Sequence, residues 1–233
     1  MKKLLLVVVV SMLSLANTAI AQFEGTVVYT MEMTGLSPEQ QAQMAQMGMA
    51  SSNDFTIYVK GDKSRSEFSM GPIPQTTITN YKEKFQVSLR DFMGQKSMIR
   101  KSLDDYKKES GTVTIKYIDG ETKTIAGYKC KKAEATTKDT KTQKEFVTVV
   151  WYTEEFNPSS SKDFSKFGDL KGYPMEFDMK TGNGQTMKMS VKTITKGSVA
   201  DSKFEIPTTG YKVYASEEEA QKDMMKNMQG GQH

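Results

Sequence analysis

From Phe23 onward, apolar residues recur at every second position in segment after segment, and this period constrains the fold more than any other feature. A period of two sends alternate side chains to opposite faces of an extended backbone, so one face can be buried while the other meets water. In "FEGTVVYTMEM" Phe23, Val27, Tyr29, Met31 and Met33 share one face, and Glu24, Thr26, Thr30 and Glu32 share the other. "DFTIYVK" aligns Phe55, Ile57 and Val59, and after the turn Gly61-Asp62, "SRSEFSM" aligns Phe68 and Met70. "KFQVSLR" aligns Phe85, Val87 and Leu89, and "TVTIKYI" aligns Val113, Ile115 and Tyr117. "GYPMEFDMK" and "QTMKMSVKT" set Tyr173, Met175, Phe177 and Met179 beside Met187, Met189 and Val191, and the "TGNG" between them is a hairpin signal.

Strands with one apolar face belong to antiparallel sheets. The expectation is a mainly β (α+β) fold, with a single curved antiparallel sheet or half-barrel of about ten strands and two or three covering helices. A sheet of that size tends to curl. Ser37-Pro38-Glu39-Gln40 reads as a helix start, with a capping serine, proline at the first position and glutamine at the third. In the helix that follows, Gln40, Gln41, Gln43 and Gln46 are expected to face water while Met44, Met47 and Met49 reach down as a lid over the sheet. Ser216 and Glu219 read as a capping box before a helix whose Ala220, Met224 and Met228 share a stripe. "SSSKDFSKF" and "SLDDYKK" are candidate helical turns, so the insertions near 38–49 and 154–168 are available to cover the apolar face.

The chain opens with Lys2 and Lys3, an apolar run from Leu4 to Leu15, and Ala19-Ile20-Ala21. This is the pattern of a signal peptide over residues 1–21, cleaved after Ala21, with an apolar run too short for a membrane span. The expectation is an exported protein, periplasmic or secreted, with no transmembrane segment in the mature chain. With no cysteine at the cleavage point, no lipid anchor is expected. Residues 22–214 read as one domain, and 215–233 as a C-terminal helix with a frayed tail. The 32 Lys+Arg against 28 Asp+Glu fall to 30 against 28 without Lys2 and Lys3. That near balance speaks against nucleic acid as a partner. A monomer is expected.

Catalytic chemistry has little to stand on. The sole histidine is the terminal His233, and a general base must be held in place before it can work. Motifs of nucleophilic, phosphate-binding and zinc sites are missing. Glu154-Glu155 and Asp104-Asp105 are sequence neighbours, and neighbours on a strand point to opposite faces. Cys130, the one cysteine, sits in "GYKCKKA" without a base or a resolving thiol, so it reads as a small buried hydrophobe. No enzyme activity, cofactor or metal is expected.

Methionine is abundant, with 17 in the chain. Its unbranched, adaptable side chain suits a cavity for varied apolar guests. The candidate cavity residues are Met31, Met33, Met44, Met47, Phe68, Met70, Met175, Phe177, Met179, Met187 and Met189. The reading is a carrier for an apolar ligand: a lipid, an acyl chain or a lipidated protein. One alternative is a structural or envelope-interaction protein with a filled core. Another is copper(I) binding, because thioethers are soft ligands, although no internal histidine supports them.

The segments "IAGYKCKKA", "VVWYTEEF", "GDLKGYPMEFDM" and "FEIPTTGYK" resemble an exported bacterial family, DUF 4412, and the related GLPGLI group, chiefly in the C-terminal half. The shared pattern is a G-Y-K-C-x-K-A strand over Gly127 to Ala133, a V-W-Y-T strand over Val150 to Thr153, and Gly172-Tyr173-Pro174 opening an apolar strand. Where the GLPGLI signature would stand, this chain reads "LKGYPMEF". These families are similar to the LolA/LolB lipoprotein carriers. That resemblance implies a half-barrel with helices closing a hydrophobic cavity, and Cys130 as part of a strand.

Overall fold

The computed structural model describes residues 23–71, 73–92, 94–105, 112–138, 144–156, 158, 167, 170–180 and 185–230. Its strands are β1 (Glu24–Thr34), β2 (Ser52–Lys60), β3 (Lys63–Met70), β4 (Ile73–Asn80), β5 (Phe85–Phe92) and β6 (Gln95–Ser102), followed by β7 (Thr112–Ile125), β8 (Tyr128–Lys138), β9 (Glu145–Thr153), β10 (Tyr173–Lys180), β11 (Thr186–Lys196) and β12 (Lys212–Tyr214). They form one curved sheet in the order β12-β6-β5-β4-β3-β2-β1-β11-β10-β9-β8-β7. Two antiparallel meanders, β1 to β6 and β7 to β11, spread in opposite directions from the seam where β1 pairs with β11. Only β12 joins in parallel, on the outer edge of β6. The expected single curved, mainly β sheet is present, with twelve strands where the pattern predicts about ten.

Four strands depart from the period-two reading, β5 among them, where Val87, Ser88 and Leu89 are all buried. β4 is rich in threonine, and its buried residues Ile78, Thr79 and Asn80 are consecutive. In β6, Ser97, Met98 and Ile99 are all buried, because both of its faces are covered. A strand covered on both sides has no reason to alternate. β12 is three residues long, and its place depends entirely on β6.

The helices are α1 (Pro38–Gln46), a 3-10 turn at Asp201–Phe204, and α2 (Glu217–Gly230). The box that opens α1 forms as expected: the Gln40 amide donates to Ser37 Oγ at 3.2 Å, and the Ser37 amide donates to Gln40 Oε1 at 2.9 Å. At α2 the Glu219 amide donates to Ser216 Oγ at 3.1 Å, while the Glu219 carboxylate accepts from Ala215 N at 2.8 Å, one residue earlier than a standard box. Among the described residues no helix is long and apolar enough to cross a membrane. The "TGNG" turn, most of "SSSKDFSKF" and the last three residues of "SLDDYKK" lie outside the described residues, while Leu103, Asp104 and Asp105 of the latter form a helical turn in which the Asp105 amide donates to Ser102 Oγ at 3.1 Å.

Among the described residues, most buried apolar side chains fall into two clusters, with Ile99, Val199, Phe204 and Ala220 outside both. The larger gathers Val27, Tyr29, Met31, Ile57, Val59, Cys130, Val150, Met175, Phe177 and Met189 across the seam and both meanders. The smaller joins Ile78, Val87, Leu89 and Met98 of β4 to β6, with Ile206 and Tyr211 of the segment after β11 packed against them. The sheet curls enough for Lys123 of β7 to reach Glu176 of β10 at 2.6 Å, although β8 and β9 separate these strands in the order.

Candidate functional site

The apolar face of the larger cluster can be followed in register across six strands. Met31 on β1 faces Met189, which faces Phe177, which faces Val150, then Ala133, then Tyr117 on β7. Directly opposed residues put their side chains on one side of the sheet, so these six form a continuous apolar stripe. Met31, Met189 and Phe177 are buried, at 8%, 5% and 1% exposure. One step toward the end of the sheet lies a second row, Met33 facing Met187 facing Met179. These three are half-buried. Burial therefore falls off along the face, and the residues at its open end are methionines.

Aromatic rings build the floor. The Phe167 ring lies 4.8 Å from Phe177, and Phe156 lies 4.5 Å from Phe23 and 4.9 Å from Tyr173. Phe156 and Phe167 both belong to the 154–168 insertion, so these two residues of it pack into the core, while most of the insertion lies outside the described residues. Tyr29 donates through its hydroxyl to Pro174 O at 2.6 Å, which ties β1 to the start of β10 across the core. Phe68 and Phe55 extend the same cluster onto β3 and β2, with ring centroids 6.4 Å apart.

The other candidates fall as follows. Met175 is fully buried in the core, and Met179, Met187 and Phe68 pack on its margin. Met70 ends β3, but its side chain lies outside the described residues. The lid expectation for α1 needs correction. The helix has no buried residue, and Met47 is 57% exposed. Met44 is half-buried. With a polar residue at nearly every other position, α1 offers too little apolar surface to dock along its length. It joins the end of β1 to the start of β2, and so stands at the end of the sheet that carries the Met33 row.

Cys130 is 0% exposed, and burial pushes its thiol up to about 11. Its Sγ lies 3.4 Å from Tyr128 O. It is therefore a protonated thiol inside the core, as the sequence leads one to expect. On the polar side, Glu176 accepts from Lys123 and from Ser190 Oγ at 3.2 Å, with Lys188 3.7 Å away. Burial raises its carboxyl, but the hydrogen bond from Lys123 and the two lysine charges outweigh that and hold it below the usual carboxylate range. Lys123 also lies over the Trp151 ring at 4.3 Å. This group locks the curl of the sheet.

Sequence reasoning misses one concavity altogether. A pocket of about 450 Å3 opens between β6, β12 and α2, lined by Gln95, Lys96, Ser97, Gly210, Tyr211, Lys212, Tyr214, Asp223 and Met224. Asp223 accepts from Lys212 at 2.8 Å and from the Tyr214 hydroxyl at 2.7 Å, and these bonds lower its pKa. The pocket depends on two strands without alternation, so no periodic signal points to it.

No family model matches this chain, and no curated protein matches it. Among solved structures it is similar to PNGF-II in two crystal forms, each at TM-score 0.48, with 17% and 16% identity. Both alignments cover 88% of this chain and 33% of that chain, so the protein spans about a third of the length of PNGF-II. Likeness at this level carries no argument about function.

Proposed function

We propose that this is a non-enzymatic, exported binding or carrier protein that takes up an apolar ligand, such as a lipid, an acyl chain or a lipidated protein, at the Met-rich end of its apolar face. The observation that carries this reading is the gradient from buried Met31 and Met189 to half-buried Met33, Met187 and Met179 along one continuous stripe. Methionine adapts its three rotatable bonds to guests of different shape, so a methionine rim on an aromatic floor suits a chain-like apolar molecule. The resemblance to the DUF 4412 and LolA/LolB families supports the same reading.

A second reading is a structural or envelope-interaction protein with a full interior. The observation in its favour is that Phe156 and Phe167 are themselves buried, at 5% and 2% exposure, in the main core. Native mass spectrometry of protein purified without detergent separates the two. The carrier reading expects a bound lipid mass, or saturable binding of a fluorescent fatty acid. It also expects Met33→Gln with Met187→Gln to weaken probe binding about tenfold while the sheet stays folded. Neither bound lipid nor probe binding would leave the filled-core reading standing.

A further inference from the structure

We infer that Met33, Met187 and Met179 form a thioether site for a soft monovalent cation, Cu(I) or its analogue Ag(I). The starting point is register. Met187 on β11 stands directly opposite Met33 on β1 and directly opposite Met179 on β10. Opposed residues carry Cβ atoms about 4.5–5.5 Å apart on the same face. Each methionine has three rotatable bonds, two of which set where its sulfur lies, so sulfurs from the two flanking strands can converge over the central one without moving the backbone. All three side chains are half-buried, which leaves an approach from solvent. Met31 and Met189 form the next opposed pair on this face and stand behind the row with further soft donors.

The chemistry selects the ion. A thioether is neutral and polarizable, and it prefers Cu(I) to the hard ions that carboxylates and carbonyls hold. A single positive charge on three neutral donors is also cheaper to bring out of water than a double one. Among the described residues no group of three or more His, Cys, Asp or Glu is placed to hold a metal ion. Cys130 is fully buried and contributes nothing here. The site does not depend on the apolar-ligand reading. Methionine to leucine keeps the apolar volume and removes the sulfur, so it tests the thioethers without opening the core.

The test is a titration of the full chain with Cu(I) under ascorbate against a competing chromogenic chelator. One Cu(I) per chain is expected, with a dissociation constant of about 1 μM or tighter. Met33→Leu, Met179→Leu and Met187→Leu together should weaken it by about 30-fold or more while circular dichroism and the thermal midpoint stay close to the parent. Met225→Leu, at an exposed position of α2, should change nothing. In the unaltered protein, Ag(I) should shift the methionine methyl resonances of the three row residues, a readout that needs no variant. Failure to hold Cu(I) against the chelator would overturn the site, and so would equal affinity in the triple variant or Ag(I) shifts confined to other methionines.

Discussion

Two glycines of the family-like motifs have separate physical reasons. Ala126-Gly127 forms the two-residue loop between β7 and β8, with φ of 49° and 86°. Both values are left-handed, as a type I′ hairpin requires, and alanine is the wrong residue for the first of them. Ala126→Asn should therefore raise stability by about 1 kcal/mol, which thermal unfolding would record as a rise of about 2–4 °C. Gly172 is needed for space: a Cβ there would lie 2.2 Å from the backbone oxygen of Thr153. Gly172→Ala should cost about 2–3 kcal/mol in a denaturant titration, since the clash is with backbone on the neighbouring strand. Cys130 gives a pH signature. Its folded pKa is raised to about 11, so above the unfolded thiol's value of about 8.5 the unfolded chain loses a proton that the folded chain keeps. Stability should fall as pH rises through that window. Cys130→Ala should be less stable at pH 7 by about 1–2 kcal/mol yet lose less on going to pH 10. An unchanged slope in the variant would mean that the thiol is not the source.

At the scale of elements, the contrast is between α1 and the Lys123–Glu176 link. α1 is well capped but buries nothing, and a short helix without docking is marginal. Its amides should exchange hydrogen much faster than those of β1 and β2 on either side, and Met47→Gln should change stability by less than about 0.5 kcal/mol. Protection equal to that of the strands would show that α1 is docked after all. Lys123 and Glu176 are 32% and 19% exposed and join strands that are not neighbours. Lys123→Met leaves Glu176 with Lys188 and Ser190 only, and should cost about 1–2 kcal/mol at neutral pH. Because the Glu176 carboxyl is held low, the stability it contributes is present above the unfolded carboxylate pKa and is lost as pH falls through the folded value. The variant should therefore approach the parent in acid.

At the scale of the molecule, one sheet serves two cores. The smaller cluster, around Ile78, Val87, Leu89 and Met98, shares the β1 to β6 meander with the larger one. The hydrogen-bonded ladder is continuous, so the two halves should unfold together. Leu89 is 5% exposed in the smaller cluster, while Trp151, the single tryptophan, packs against the larger. Leu89→Ala should lower stability by about 2–4 kcal/mol and move the Trp151 fluorescence midpoint by the same amount as circular dichroism. A fluorescence midpoint left in place would mean two independent folding units.

The strands with one wet face were legible without coordinates: β1, β2, β10 and β11 carry the expected alternation, and so were the cap at Ser37 and the buried character of Cys130. These features depend on local periodicity and on single side chains that sequence displays directly. The order of the strands in the sheet was not legible. The pairing of β1 with β11 joins residues far apart in the chain, and nothing local encodes which strand lies beside which. The same holds for β4 and β6, whose alternation vanishes because both faces are covered, and for the pocket built on β6 and β12. The methionines show the division most clearly. Their period-two spacing places Met33, Met179 and Met187 on apolar faces, but only the register of three strands sets them side by side in one row, since adjacency across a sheet is decided by pairing and not by position along the chain.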